Sequence, residues 1–437
     1  MKKTRKLFPI LLLTGLLTLS GCALFNDDDI AISNSYNPKT SQSEEEGGVM
    51  VEGVRATTRE ETGDDVKYFR SICYAVDGKV ENTYKADGGV NYTEYNVNGG
   101  NDYEGNVTKF NYDLYVPDSA SRTGKHTVIL FIHGGAWVSG FKMQVNPYVQ
   151  EFARRGYVTA TIKYTLLKKE MNDSSLSIFR NLDEIDACIK SIKRALEDED
   201  LGFDTTKTEL VIGGASSGSH LAMLYSYSRG AAAALPIKFI VDAVGPVNIK
   251  PECWKRFTAS SEEEYQALVD AGVEYDDIQA AQASGNIASL GIAGFTYNWN
   301  EYQTMRIANG MCGIPYSLED VEASTDENKE AIVNPNAASD SMTKAGGGED
   351  QLSVTYWMNP SNKIRMICAY AGKDPIVGIN QFATLQHEME SNGMVKGTDY
   401  EYFYFPNSSH EQITAEANPT VYSQFIQKVD DWCQADF

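Results

Sequence analysis

Hydrophobic and polar residues follow different periods along the chain, and each period predicts a type of element. Alternation at every second position predicts strands at residues 92–97 and 109–116. Runs of consecutive apolar residues are instead typical of strands buried on both faces of a parallel sheet, and they occur at 127–132, 157–162 and 363–370. Further strands are predicted at residues 209–212, 237–244 and 400–405.

Helices are predicted between these strands. The clearest is an apolar stripe whose members lie three or four residues apart: Leu176, Phe179, Leu182, Ile185, Ile189, Ile192 and Leu196. Asp173 and Ser174 are its predicted N-terminal caps. Shorter helices are predicted at residues 148–155, 220–225, 381–390 and 421–432. Strands that alternate with helices indicate an α/β fold, a mostly parallel sheet covered by helices on both faces.

The alternation stops at residues 248–360, which are acidic, rich in aromatic residues and only weakly periodic. Strands on both sides of this segment continue the same architecture, so we interpret it as an insertion into one sheet rather than a separate domain. A connection of this length has to fold over something. The insertion is therefore predicted to be a cap, whose aromatic residues serve either core packing or substrate contact.

The first 21 residues are typical of an export signal. Four basic side chains precede a 13-residue apolar run, which is too short to span a bilayer comfortably. The run ends in Leu19-Ser20-Gly21-Cys22. This ending resembles the lipobox of bacterial lipoproteins, and an ordinary signal peptide with a chance cysteine is the alternative. The resemblance implies acylation of Cys22, so that membrane lipid would hold an exported, extracytoplasmic protein to the bacterial cell envelope.

Composition excludes several other classes. Residues 22–65 are polar and acidic and are predicted to be a flexible spacer, followed by one domain at 66–437. The chain has 60 acidic and 38 basic residues and a net charge of −22, which argues against nucleic-acid binding. The mature chain contains no 18-residue apolar run free of charge and is not expected to span a membrane.

Six cysteines follow Cys22, and their spacing matches no zinc or haem motif. Cys188 and Cys368 fall in strongly apolar elements and are expected to be buried thiols. Any disulfide pairing, like the oligomeric state, stays open from sequence.

The sharpest local motif is Gly214-Ala215-Ser216-Ser217-Gly218, between a predicted strand and a predicted helix. A nucleophile on so tight a turn has a strained backbone, and glycines two positions to either side relieve the crowding. The helix N–H groups would lie beneath the serine hydroxyl. The alternative is a glycine-rich turn without activity.

A second motif, His133-Gly134-Gly135-Ala136-Trp137, directly follows the buried strand at 127–132. Small residues there let backbone N–H groups approach a substrate oxygen, as an oxyanion hole requires. An ordinary tight turn is the alternative. Active sites of open parallel sheets lie beyond the carboxyl ends of the strands, so the position of the motif favours function.

An acid and a base complete the set. Asp374 follows the strand at 363–370, and His410 follows the strand at 400–405. A serine hydroxyl needs a base within hydrogen-bond reach, and a carboxylate is needed to fix the tautomer of the imidazole. Among five histidines only His410 lies beyond a late strand. The order Ser, Asp, His, each past its own strand, predicts a catalytic triad.

These motifs resemble those of the α/β-hydrolases, over residues 110–415. The similarity is to the carboxylesterase and hormone-sensitive-lipase-like group, with the bacterial feruloyl and acetyl xylan esterase type (BD-FAE-like) nearest. It also rests on residues 112–117 (YDLYVP), on Gly202-Phe203-Asp204, and on the run from Gly213 to Ala222. The resemblance implies an α/β-hydrolase fold with the insertion placed before the acid-bearing strand.

Carried over, the resemblance implies Ser216 as nucleophile, Asp374 as orienting acid and His410 as general base. The oxyanion donors would be the backbone N–H groups of Gly135, Ala136 and Ser217. No metal or organic cofactor is implied.

The sequence departs from the family pattern at three positions: Ala136 replaces a common glycine, Ser219 stands where glycine is frequent, and Thr165 stands where arginine is frequent.

We therefore expect a carboxylic-ester hydrolase acting through an acyl-enzyme on small or carbohydrate-linked esters outside the cytoplasm. A serine peptidase on the same fold is one alternative, but the large amino-terminal propeller common in such enzymes is not expected here. A surface-binding lipoprotein without activity is another.

Overall fold

The computed structural model describes fourteen ranges of the chain: residues 54–57, 66–74, 79–82, 91–94, 110–167, 176–198, 201–249, 257–258, 291–292, 301–313, 316–325, 327, 349–374 and 376–437. The predicted export signal, the acylation of Cys22 and most of the predicted spacer lie outside the described residues. They stay predictions.

Thirteen strands occur in the described part of the chain, numbered in chain order. They are β1 (Val54–Thr57), β2 (Val66–Cys73), β3 (Lys79–Asn82), β4 (Asn91–Glu94), β5 (Asn111–Pro117), β6 (His126–Ile132), β7 (Val158–Lys163), β8 (Thr208–Ala215), β9 (Ile237–Ala243), β10 (Phe257–Thr258), β11 (Gly291–Ile292), β12 (Met366–Ala371) and β13 (Tyr400–Phe405). Nine of these strands form one sheet in the order β1-β2-β5-β7-β6-β8-β9-β12-β13. The strands β3 and β4 form a separate pair, as do β10 and β11.

The sheet is mostly parallel, as predicted. Every neighbouring pair from β7 across to β13 is parallel, whereas β1, β2 and β5 pair antiparallel at the other edge. The carboxyl ends of β6, β8, β12 and β13 therefore lie at one edge of the sheet, which is where the predicted site residues follow.

Eight α-helices occur in the described residues. They are α1 (Asn146–Arg154), α2 (Ile178–Glu197), α3 (Ser217–Arg229), α4 (Glu301–Met311), α5 (Leu318–Glu322), α6 (Val354–Trp357), α7 (Ile379–Ser391) and α8 (Pro419–Gln434). Among the described helices, none combines the length and apolarity needed to cross a bilayer.

The hydrophobic core has two layers, one on each face of the sheet. Alternate residues of β6 enter opposite layers: Leu130 packs with residues of α2, α3 and α7, while Phe131 packs with residues of α1 and α8. Each such fully buried side chain stabilises the fold by about 1.5–3 kcal/mol. The two-layer burial explains why the central strands are continuously apolar.

Three sequence predictions are corrected or completed by these elements. Val54–Thr57, inside the predicted spacer, is instead the edge strand β1, paired with β2. The observed N-cap of α2 is Ser177, whose hydroxyl accepts a hydrogen bond from the Arg180 N–H, so the prediction of Asp173 and Ser174 as caps was wrong. The thiols of Cys188 and Cys368 are free and buried, as expected.

The insertion joins two neighbouring strands. The strands β9 and β12 lie side by side, with Met366 opposite Ile240, so the chain leaves the sheet after β9 and returns beside it. The structure describes 248–249, β10, β11, α4, α5 and α6 of this segment, with the adjoining residues listed above. The insertion is thus placed between adjacent strands of a single sheet.

Candidate active site

Ser216 lies on a strained turn between β8 and α3. Its backbone has φ 55° and ψ −125°, a conformation that costs a residue with a side chain on the order of 1–3 kcal/mol. Hydrogen bonds at both backbone groups of Ser216 stabilise this conformation. The Ser216 N–H donates to the Ala243 carbonyl at 2.9 Å, and the His220 N–H donates to the Ser216 carbonyl at 3.1 Å. The predicted strand-to-helix turn is therefore present.

The flanking glycines make room for this turn. A Cβ atom on Gly218 would lie 2.1 Å from the Ile132 carbonyl oxygen, and one on Gly214 would lie 2.4 Å from the Gly218 carbonyl carbon. Gly134 lies directly against the nucleophile turn, since its added Cβ would be 3.2 Å from the Ser216 Cβ. The two predicted glycine motifs are thus in contact with each other.

Asp374 and His410 form the second part of the candidate site. The His410 Nδ1 lies 2.6 Å from the Asp374 Oδ2. The other carboxylate oxygen accepts hydrogen bonds from the Ile376 and Val377 N–H groups, both at 2.8 Å. Because the ionised carboxylate only accepts, the Nδ1 carries the imidazole proton and the Nε2 is left as the basic atom.

Backbone bonds join the loops that carry this pair. The Lys373 N–H donates to the Ser408 carbonyl at 3.1 Å, and the Gly372 N–H donates to the Phe405 carbonyl at 2.9 Å. The aspartate and histidine loops are therefore joined directly to each other. Within the described residues, no hydrogen bond joins the Ser216 hydroxyl to His410. Substrate-free sites often form such bonds only once the substrate is bound.

Residues 133–139, here termed the oxyanion turn, have an unusual backbone. Three consecutive residues have positive φ: Gly135 at 119°, Ala136 at 50° and Trp137 at 63°. The peptide unit is planar and trans, so a hydrogen bond to a carbonyl also fixes the direction of the next N–H. The Gly135 carbonyl accepts from the Ser139 N–H at 2.9 Å and from the Ser139 hydroxyl at 2.8 Å, which fixes the Ala136 N–H.

The Gly135 N–H is fixed by His133. The His133 Nδ1 donates to the Gly134 carbonyl at 2.8 Å, and the ring stacks on Tyr164 with centroids 4.3 Å apart. Complete burial lowers the pKa of His133 to about 4. His133 is thus neutral at neutral pH, and it positions the turn.

The remaining predicted donor is the Ser217 N–H. Ser217 is the first residue of α3, and the first N–H groups of a helix have no partner within it. Its side chain is buried, and its hydroxyl has no partner among the described residues. The backbone N–H of Ser217 therefore has no partner within the helix, as the predicted donor requires.

The other histidines have different surroundings. The His126 Nε2 lies 2.8 Å from the Thr208 hydroxyl, at the opposite end of β6. His220 is fully buried in α3, where burial lowers its pKa to about 4. His387 is exposed on α7. His410 is thus the histidine that the structure pairs with Asp374.

Two departures from the family pattern have structural explanations. The Ser219 hydroxyl donates to the Gly214 carbonyl at 2.7 Å and accepts from the Ala243 N–H at 2.8 Å. This serine therefore ties the nucleophile turn to β9. The sequence showed Ser219 only as a departure, because nothing local identified its two partners.

At Thr165, the backbone contacts a charged pair of a neighbouring helix. The Thr165 N–H donates to Glu184 at 2.6 Å, and Glu184 pairs with Arg180 at 2.9 Å. Both partners belong to α2, so this helix holds the backbone at Thr165. The four-residue spacing of Arg180 and Glu184 was visible in sequence, but their target was not.

Comparison with known families agrees with this geometry. Residues 112–287 match the BD-FAE family model, a range that contains the oxyanion turn and Ser216 and ends before Asp374. No curated protein matches the chain.

Solved structures that the chain resembles include three esterases of low sequence identity. A bacterial heroin esterase is 14% identical over 74% of this chain and 80% of that chain, with a TM-score of 0.46. A truncated carbohydrate esterase from gut microbiota is 12% identical over 74% and 91%, with a TM-score of 0.46. The butyrate-bound esterase Est2 of Thermogutta terrifontis is 14% identical over 78% and 92%, with a TM-score of 0.44.

The strand order carries the assignment of the fold. From β2 to β13 the sheet contains eight of the described strands, with one exchange of order at β6 and β7 and one antiparallel strand, β5, inside it. The strained turn at Ser216 follows the fifth of these strands, β8, where the α/β-hydrolase fold has its nucleophile. The chain thus has the α/β-hydrolase fold, and its residues 112–287 match the BD-FAE family model.

Proposed function

We propose that this chain is a serine carboxylic-ester hydrolase that uses Ser216, His410 and Asp374. The observation that carries the proposal is the 2.6 Å pairing of His410 Nδ1 with the buried Asp374 carboxylate. This pairing directs the basic Nε2 away from the acid, as a general base for a serine requires. The strained Ser216 turn and its contact with Gly134 support the same function.

In the proposed reaction the Ser216 Oγ attacks the ester carbonyl carbon while its proton passes to the His410 Nε2. The carbonyl oxygen becomes an oxyanion, held by the N–H groups of Gly135, Ala136 and Ser217. When this intermediate collapses, the bond to the alcohol breaks and the His410 proton passes to the leaving oxygen. Water then cleaves the acyl-enzyme by the same steps.

We propose small or carbohydrate-linked acyl esters as substrates, outside the cytoplasm. The basic, apolar amino terminus and the lipobox-like sequence at Cys22 support export and lipid anchoring. The aromatic-rich insertion after β9 supports acyl groups on a carbohydrate or another small ester as the substrate. A panel of acetyl, butyryl, long-chain and feruloyl esters tests the substrate class, and a Cys22→Ser variant that stayed in the membrane fraction would overturn the anchor.

The nucleophile is tested with a short-chain nitrophenyl ester. Ser216→Ala is expected to lose several orders of magnitude in kcat. Ser226→Ala is the matched control, because Ser226 is buried in the helix that follows Ser216 and its hydroxyl donates to the Ala222 carbonyl within that helix. Equal rates for the Ser216→Ala and wild-type proteins would overturn the proposal.

Two further measurements separate the alternatives. A fluorophosphonate probe is expected to label the wild type and not Ser216→Ala, and a folded wild type that stayed unlabelled would favour a binding lipoprotein. Faster cleavage of a peptidyl amide than of the matching ester would favour a serine peptidase.

A further inference from the structure

The insertion contacts the oxyanion turn through one tyrosine. The Tyr316 hydroxyl, between α4 and α5, lies 3.4 Å from the Ala136 carbonyl oxygen and donates to it. The tyrosine is only 1% exposed, although 180 residues separate the two partners. A segment outside the sheet therefore contributes a hydrogen bond to the backbone of the turn.

This hydrogen bond acts on a strained peptide unit. The Ala136 carbonyl and the Trp137 N–H belong to one plane, and both flanking residues have positive φ. His133 and Ser139 already fix the two preceding units from inside the turn. Tyr316 fixes the third unit, so its loss would release a strained segment that carries the proposed donors.

His220 provides a second link between the insertion and the turn. Its Nε2 donates to the Leu352 carbonyl of the insertion at 2.8 Å, so its ring is fixed within α3. The same ring packs edge to face against Trp137, with centroids 5.3 Å apart and planes at 88°. His220, which belongs to α3, thus contacts both the insertion and the oxyanion turn.

The returning part of the insertion is itself anchored beside Leu352. The Val354 N–H donates to the Val247 carbonyl at 2.8 Å, and the Ile249 N–H donates to the Ser353 hydroxyl at 3.0 Å. These bonds tie the segment to the chain that leaves β9. The Leu352 carbonyl is therefore held in place, and so is the His220 ring that donates to it.

We propose that Tyr316 and His220 are positioning residues through which the insertion sets the geometry of the oxyanion turn. The inference rests on the proposed ester hydrolysis and goes beyond it, because it makes the insertion part of the oxyanion machinery in addition to any cover over substrate.

The first test compares two tyrosine variants. Tyr316→Phe removes the hydroxyl at the turn, while Tyr227→Phe removes a buried hydroxyl that donates to the Ile364 carbonyl at 3.3 Å near the other end of α3. Active sites are counted by fluorophosphonate titration, and kcat and KM are measured per active site. Tyr316→Phe is expected to lower kcat severalfold with KM nearly unchanged, a fraction of the 10²–10³ that removal of an oxyanion donor costs.

A second pair of variants removes the histidine link. His220→Phe retains an aromatic ring beside Trp137 and loses the donor to Leu352. We expect kcat to fall about tenfold, which is less than the loss of an oxyanion donor causes. His126→Phe is its control, because His126 is also buried but lies at the opposite end of β6. A trifluoromethyl ketone, whose adduct with serine carries an oxyanion, is expected to bind more weakly to His220→Phe in proportion to the loss of kcat/KM.

A third variant displaces Tyr316 without altering the turn or the tyrosine itself. A Cβ on Gly310 of α4 would lie 1.9 Å from the Tyr316 Cε1, so Gly310→Ala is expected to move the ring and reproduce the kcat loss of Tyr316→Phe. This variant also tests whether a change within the insertion alone lowers kcat.

The outcomes separate the two proposals. If the wild type is active and the Tyr316, His220 and Gly310 variants keep kcat and ketone affinity per active site, the positioning role is wrong even if their Tm falls. A wild type that neither hydrolyses esters nor reacts with the probe overturns the proposed function, and this inference with it. Loss of kcat in the site-directed variants, with the Tyr227 and His126 controls unchanged, supports the positioning role.

Discussion

The carboxylate of Asp374 is held by two neighbouring N–H groups on one oxygen and by His410 on the other. Several residues near Ser216 are held in the same manner, by backbone partners. His133, Ser219 and His220 each bond to a main-chain carbonyl. The positions of these side chains in the candidate site therefore depend on the backbone of the fold.

Asp374→Asn tests this arrangement at the level of one atom. The amide oxygen is expected to stay with the Ile376 and Val377 N–H groups, which places the amide NH₂ opposite His410. The Nδ1 would then have to accept, and the proton would move to the Nε2, where it blocks the base. We expect kcat to fall on the order of 10⁴-fold, with little change in Tm.

The control for this prediction is Asp399→Asn, because Asp399 also accepts a backbone N–H, that of Val395 at 2.9 Å, in a turn before β13. Its kcat should equal that of the wild type. An Asp374→Asn variant with wild-type kcat would contradict the assignment of Asp374 as the acid.

Among the elements, the central strands and the edge strand β13 were predictable, whereas the opposite edge strand, β1, was not. The runs at 127–132 and 157–162 correspond to β6 and β7 within one residue at each end, because burial on both faces leaves a continuous apolar signal. The strand β1 has only four residues in a polar context, so no periodicity could reveal it. The start of α2 was missed because several capping residues precede the helix and only the backbone selects among them.

The site was predictable to the extent that its signals are local. Strand ends place Ser216, Asp374 and His410 at the same edge of the sheet, and the pairing of the last two was expected from their order. The contact of Tyr316 with Ala136 spans 180 residues, within an insertion that has little periodicity. Such contacts depend on tertiary packing, for which a single sequence carries no direct signal.

The short helix that follows the oxyanion turn gives a prediction about stability. In this 3-10 helix (Lys142–Val145), the Lys142 Nζ lies 2.7 Å from Asp113 and 2.6 Å from Asn111, both buried on β5. Lys142→Met would leave the buried carboxylate without its cation. We expect a loss of about 3–5 kcal/mol in the free energy of unfolding, measured in urea.

The double variant Lys142→Met with Asp113→Leu serves as the control, because it removes both charges. It should recover a large part of the lost stability. A Lys142→Met protein within about 1 kcal/mol of the wild type, the range of an exposed ion pair, would show that the pair is not effectively buried.

For the whole molecule, buried titratable groups set the dependence of stability on pH. Burial lowers the pKa of His133 and His220 to about 4, below their ordinary value near 6.5. Between these two pH values the unfolded chain binds protons that the folded chain does not bind. Stability is therefore lost as pH falls from about 6.5 through about 4. Asp242 acts in the opposite direction, because burial raises its pKa to about 7.

Asp242→Asn isolates the second effect. The folded wild type retains a proton on Asp242 that the unfolded chain has released, so this group costs stability as pH rises from about 4 to about 7. The variant lacks this cost. Its free energy of unfolding should therefore rise relative to that of the wild type by about 1.4 kcal/mol per pH unit across that window. Urea unfolding at several pH values measures the difference, and two parallel curves would contradict the prediction.

The order of the strands along the chain has a consequence for biosynthesis. A nascent chain that has left the ribosome through β9 already contains Ser216 and the turn around it. The acid and the base follow β12 and β13, the last two strands of the described residues to be translated. On the proposed mechanism, hydrolytic competence is therefore acquired only after β13 and the loop that carries His410 have been synthesised, and a product terminated early within the insertion is inert.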